Sequence, residues 1–250
     1  MTATQSTAAG QSPRPVHPGN LPQNPLLRFW RSAVGKKWVM AVTGIMMLGF
    51  VLFHMIGNLK IYLGARDLDH YAEWLRTIGE PALPHTVFLW ILRIGLIGAV
   101  ALHIVSAAQL TRMNHRARPT KYQSPRDYAA ANFASRTMRW TGVIVVFYVI
   151  FHLMDLTWGN TTVNPDFVRG RTFDNVVASF ERVPVAIVYI LANLAVAIHI
   201  YHGAWSMFQS LGLNNPKWNK ARRSFAIGFA TLIGVANISF PIMVVTGVVK

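Results

Sequence analysis

The stretch VPVAIVYILANLAVAIHIYHGAWSMFQS, Val183–Ser210, decides how the chain is to be read. It is apolar enough and long enough to cross a hydrocarbon layer of about 30 Å. Yet it carries His199 and His202 near one end. An ionisable ring inside a membrane span is costly to place, which makes it a functional-site hypothesis by default. Three other apolar stretches hold one histidine each: His54, His103 and His152.

Composition agrees with the membrane class. Of 250 residues, 52% are hydrophobic and 13% charged, well below the roughly 25% charge of soluble domains. Cysteine is absent. The chain can form no disulfide and no all-cysteine metal site, so histidine is its main candidate ligand. The formal charge of +15 would suggest a nucleic-acid partner in a soluble protein, but its distribution argues against one. Lys and Arg gather in alternate connections: Met1–Lys37, Arg112–Arg139 and Lys217–Arg223. In Lys60–Pro84 and Leu156–Pro184 acids balance them. Under the positive-inside rule this puts the N-terminus in the cytoplasm and the C-terminus outside. The basic connections also suit acidic membrane lipids.

Residues 1–27 are rich in Gln, Ser, Thr, Pro and Gly without an apolar run. They read as a disordered cytoplasmic tail rather than a signal peptide. Residues 28–250 then form one membrane domain, all-α, with five transmembrane helices. The expected spans are Lys36–Leu63, Pro84–Arg112, Met138–Trp158, Val183–Ser210 and Ser224–Val249. They must be helices, because an isolated strand leaves its backbone unsatisfied in lipid and no barrel-type alternation is present. DLDHYAEWLRTIGEP, within Gly64–Leu83, reads as a short amphipathic helix on the outer surface. Thr157–Arg182 is polar and Asn-rich and reads as an outer cap, and Asn114–Arg136 reads as a basic docking loop. No clear internal repeat is read from the chain.

The histidines fall at nearly equal intervals, and successive helices reverse direction. At about 1.5 Å per residue, His103 and His199 lie roughly 12–15 Å from the cytoplasmic end, and His54 and His152 roughly 21–27 Å from it. The four sort into two depth-matched pairs. Two imidazoles on facing helices can hold a haem iron from both sides. Gly95, Ala99, Ser106 and Ala107 flank His103, and Ala192, Ala195, Gly203 and Ser206 flank His199. Small residues there suit either a flat macrocycle or ordinary close helix packing. His202 shares a face with His199 and suits a supporting donor, a quinone or propionate contact, or a metal ligand. Arg93 suits a propionate or quinone charge, or snorkelling to the outer surface. His17, His70, His85 and His115 read as solvated or interfacial, and Asp155 as lying at the outer boundary rather than in the core.

SAVGKKWVMAVTGIMMLGFVLFHMIGNL, Ser32–Leu59, resembles the first helix of the single-polypeptide cytochrome b subunit of succinate dehydrogenases and fumarate reductases. The five-helix plan and the His-x-x-x-Gly-x-Trp pattern of His199, Gly203 and Trp205 agree. The resemblance implies an anchor for a flavoprotein and an iron–sulfur subunit on the cytoplasmic face of the plasma membrane. A second small membrane subunit is compatible with it. It implies electron transfer from succinate to menaquinone or ubiquinone. Two haems b would be held by His54 with His152 and by His103 with His199. It places a quinone near Ser32, Lys36 and Lys37, although the two lysines equally suit lipid phosphates, and gives Glu80 a proton-carrying role at an outer quinone site. His202 departs from the pattern. It leaves open an iron–sulfur cluster ligated by His199 and His202, or by His103 and His199, with cysteines of a partner. A purely structural anchor and a proton-coupled transporter are the remaining alternatives.

Overall fold

The computed structural model describes residues 24–117 and 133–250. Among them there is no β-strand. The greater part of the expected tail and of the 114–136 connection lies outside the described residues.

Five helices are long and apolar enough to cross a membrane. They are α2 (Ala33–Asn58), α4 (Val87–Ala117), α5 (Phe133–Leu153), α7 (Val183–Ser210) and α8 (Asn219–Val245). The bounds of α7 are those the sequence predicts. The other ends shift by a few residues, because local capping rather than hydropathy sets them. Among the described residues there are also three short α-helices, α1 (Pro25–Arg31), α3 (Ala65–Thr77) and α6 (Thr172–Glu181), and short helical turns at Leu59–Leu63, Met154–Trp158 and Pro216–Trp218. Helix α1 begins at Pro25, within the stretch read as tail. Asn24 Oδ1 accepts the Leu26 N–H at 2.9 Å, and Pro25 opens α1 with its missing N–H where none is needed.

Ser32 turns α1 into α2. Its hydroxyl donates to the Phe29 carbonyl at 2.7 Å and accepts the Gly35 N–H at 2.9 Å. Such a cap contributes about 1 kcal/mol. Gly35 is required by space: a Cβ there would stand 1.9 Å from the Phe29 carbonyl oxygen.

α7 is the centre of the bundle. It packs on α2, α5 and α8, while α4 packs on α2. Its buried face is Ala186, Tyr189, Ala192, Ala195 and Ala204, with Asn193 among them. Alanines permit the close approach that drives helix association in lipid. Most large apolar side chains on α4 and α5 face outward instead, as lipid-facing surfaces do. Consecutive spans alternate in direction. The start of α2, the end of α4 and the end of α7 thus share one end of the bundle, here the near end. At the far end α3 packs on α6, and the Phe173 N–H donates to Asp69 at 2.9 Å. The 157–182 connection, expected to be a polar cap, contains α6. Its Phe173 and Phe180 are buried, and that amphipathic pattern is what makes the segment helical.

Candidate functional site

The structure brings the four histidines together in two pairs. At the near end the rings of His103 and His199 have centroids 6.5 Å apart, with planes at 60°. At the far end those of His54 and His152 are 5.9 Å apart, nearly perpendicular at 86°. Two imidazoles bonded at about 2.0 Å to opposite sides of one metal put their centroids roughly 6 Å apart. Distance alone does not decide the matter, since edge-to-face ring pairs pack at about 4.5–7 Å. The hydrogen bonds of the rings add more. His103 Nδ1 lies 3.1 Å from the Met40 carbonyl and 3.3 Å from Thr43 Oγ1. The Thr43 hydroxyl donates to the Val39 carbonyl at 2.7 Å. Both oxygens therefore accept from His103, its proton sits on Nδ1, and the Nε2 lone pair is left for a ligand. His199 repeats this arrangement: Nδ1 is 3.3 Å from Thr141 Oγ1, whose hydroxyl donates to the Met138 carbonyl at 3.0 Å. Metal-ligating imidazoles are oriented in this way through their second nitrogen.

The same residues recur on α2 and α5. Met40-x-x-Thr43-Gly44 corresponds to Met138-x-x-Thr141-Gly142, and Phe50-Val51-Leu52-Phe53-His54 to Tyr148-Val149-Ile150-Phe151-His152. Ala99-Val100-Ala101-Leu102-His103-Ile104 on α4 corresponds to Ala195-Val196-Ala197-Ile198-His199-Ile200 on α7. The chain is thus a tandem repeat of α2–α4 and α5–α7, correcting the reading that no repeat is present. Each histidine pair joins equivalent positions of the two halves. A Cβ added at Gly44 would meet His103 Cε1 at 3.7 Å, and one at Gly142 would meet His199 Cε1 at 3.4 Å.

Among the described residues no group of three or more His, Asp or Glu could hold a metal ion. Each pair supplies two ligands, and the rest of a coordination sphere must come from elsewhere. A porphyrin provides four nitrogens in a plane, and a partner's thiolates would complete a mixed cluster. The residues fit a group that asks this chain for imidazoles alone. His202 lies on α7 one turn beyond His199, half-buried.

Sequence reasoning misses the polar network behind His152. Asp155 is fully buried, which corrects its expected place at the boundary. Its carboxylate accepts from Ser179 Oγ at 2.5 Å, from Tyr189 Oη at 2.7 Å and from Arg182 Nη2 at 3.2 Å. Arg182 also donates to the Val163 carbonyl. α6 packs on the Met154–Trp158 turn that continues α5 and supplies Ser179, with Arg182 at its C-cap, while Tyr189 comes from α7, so the charge is buried but paired.

At the near end Lys36 is buried, its ammonium donating to the Trp30 carbonyl at 2.7 Å and lying 4.5 Å from the Trp30 ring centroid. It lines a cleft with Trp30, Arg31, Gln109, Arg112 and Arg116. Ser32 and Lys37 do not line this cleft. Ser32 is engaged as a cap, and Lys37 is exposed. Gln109, Arg112 and Arg116 share one face of α4, a spacing the sequence displays. Arg93 is exposed with its guanidinium carbon 5.1 Å from the Trp90 ring centroid. Glu80 is exposed, 3.1 Å from His85.

Five bilayer-length helices without strands make this an integral membrane protein of the helical-bundle class. Residues 114–237 match the model of the succinate dehydrogenase/fumarate reductase transmembrane subunit, and the chain belongs to that family. The matched stretch holds α5, α6, α7 and one histidine of each pair, His152 and His199, whereas Ser32–Leu59 lies outside it. No curated protein and no solved structure matches the chain. Membership implies association with the other subunits of such an enzyme.

Proposed function

We propose that this protein anchors a succinate dehydrogenase to the plasma membrane and carries electrons from its iron–sulfur subunit to menaquinone or ubiquinone. The observation that carries the proposal is the pair of facing imidazole couples, with His103 and His199 each oriented by an oxygen at Nδ1. Two haems b are the groups that best suit such couples: they supply one-electron redox steps at two depths of the bilayer. His103 and His199 would hold one, His54 and His152 the other. The flavoprotein and iron–sulfur subunits bind at the near end, where basic residues gather; the positive-inside rule supports a cytoplasmic side for it.

The near-end cleft is the quinone site of this reading. Lys36 and Arg112 present charged donors in a partly buried setting, where they favour negative charge on a reduced head group. Trp30 offers a flat apolar wall. Lys36 keeps two ammonium protons beyond the one given to Trp30.

Haem extraction and a reduced-minus-oxidised absorption spectrum of the isolated complex test the proposal. Paired b-type bands are expected. A complex without haem but with iron in excess of its partner subunits' clusters would favour the second reading, which the absence of cysteine and the neighbouring His199 and His202 allow. There, two histidines of this chain and two thiolates of a partner hold an iron–sulfur cluster. A colourless anchor with active partners would leave a structural role alone.

A further inference from the structure

We infer that Asp155, acting through the Tyr189 hydroxyl, is a positioning residue for His152 and lowers the reduction potential of the far centre; the inference rests on the reading of His54 and His152 as a ligand pair.

Tyr189 has one hydroxyl proton, and it is donated to Asp155 Oδ2 at 2.7 Å. The Tyr189 hydroxyl oxygen itself lies 3.4 Å from His152 Nδ1. With its proton spent on the carboxylate, the hydroxyl oxygen can only accept from the imidazole. The proton of His152 is therefore placed on Nδ1 and the lone pair on Nε2. The direction of donation runs from His152 to Tyr189 to Asp155. This is a carboxylate–histidine couple with a phenol inserted, and such couples make a metal-bound imidazole a stronger electron donor. Stronger donation stabilises the oxidised metal and lowers its potential. Arg182 offsets part of the carboxylate charge, but it does not interrupt the hydrogen-bonded line.

The ring of Tyr189 is fixed independently of the relay. It packs edge-on against Phe180 at 4.8 Å and Tyr148 at 5.5 Å. Ser179 and Arg182 hold the carboxylate from two other directions. The relay has no counterpart in the first repeat, where Gly57 stands in place of Asp155 and Arg93 in place of Tyr189. His54 instead stacks on Phe50, with centroids 5.3 Å apart. The near pair leans on neutral oxygens only. A carboxylate-terminated partner thus distinguishes one ligand of the four.

The experiment is a redox titration of the isolated complex, followed optically, for the wild type, Tyr189→Phe and Asp155→Asn. His152→Ala and His199→Ala identify the far and near waves by their loss. Tyr189→Phe keeps the ring and removes only the hydroxyl. The wave lost in His152→Ala is expected to move to higher potential in this variant, while the wave lost in His199→Ala stays in place. Asp155→Asn should move the same wave in the same direction. Two unmoved waves in Tyr189→Phe, or two waves moving together, overturn the inference. A shift in Tyr189→Phe with none in Asp155→Asn overturns the part given to the carboxylate. If Asp155→Asn does not assemble, Tyr189→Phe alone decides. A His152→Ala complex that keeps every wave of the wild type means that the ligand reading has failed, a different result from a relay that does not tune.

Discussion

At the near end of the bundle, His103 and His199 each rest on the oxygens of a Met-x-x-Thr turn, His103 on the Met40 carbonyl and Thr43, His199 on Thr141. At the far end His152 rests on a tyrosine held by a buried carboxylate, and His54 stacks on a phenylalanine. The near supports are written into the repeat, so the two halves supply them alike. The support of His152 depends on Tyr189 and Asp155, which have no counterpart in the first half. The near pair is accordingly built for equivalence and the far pair for difference. On the proposed reading, two centres with different surroundings would hold electrons at different potentials, as a directional relay across a bilayer requires.

The comparison breaks most visibly if the ligands are removed. His103→Ala or His199→Ala should abolish the near centre and leave the far one, and His54→Ala or His152→Ala the converse. Haem content and the reduced spectrum of each variant check this; loss of both centres from every variant would show that the pairs are not separate sites.

Next in size is the ion pair under the cap. Arg182→Met leaves the Asp155 carboxylate buried with two neutral donors, and unpairing a buried charge costs roughly 3 kcal/mol or more. Arg182 is itself about a third exposed, so solvent screens part of this and about 2 kcal/mol is the expected loss. A lower thermal midpoint, with the near centre's spectrum unchanged, is the expected outcome. An unchanged midpoint would show that the far cap adds no stability.

At the near end, Lys36→Met removes one charged donor from the cleft. Hydrogen bonds to charged groups contribute about 1.5–3 kcal/mol, so KM for a quinone analogue should rise roughly tenfold or more. Lys37→Met, changed on the exposed side, should leave it within about twofold. Equal effects from the two lysines would move the site out of the cleft.

The smallest effect sharpens the repeat itself. Gly142→Ala places a methyl 3.4 Å from His199, tighter than the 3.7 Å that Gly44→Ala gives at His103. A cost below about 1 kcal/mol is expected for the first and less for the second, read as a small shift of the near centre's band in Gly142→Ala only.

Much of the site is legible in the chain. The spacing of His54, His103, His152 and His199 reads as two depth-matched pairs, because rise per residue and alternation of direction are properties of any helical membrane chain. The Met-x-x-Thr-Gly and Ala-Val-Ala-x-His-Ile repeats were equally open to reading, and side-by-side alignment of the two halves displays them. Asp155 was not legible. Three residues beyond His152 and near a span's end, it looks like a boundary acid. Only the closure of α6 over α5 buries it, and that depends on Ser179, Arg182 and Tyr189 arriving from later in the chain. Ser32 misleads in the opposite sense, since its hydroxyl satisfies backbone groups at a corner that hydropathy does not show.

The sequence by itself determined that the protein is a five-helix membrane bundle with histidines in four of its spans, because a bilayer admits few backbone solutions and charges histidine heavily for entering it. Tertiary structure alone decided which neighbour each ring meets, that Lys36 turns into a cleft shared with α4, and that a carboxylate stands behind His152. Those outcomes rest on contacts between residues far apart in the chain, and no local pattern encodes a distance between helices.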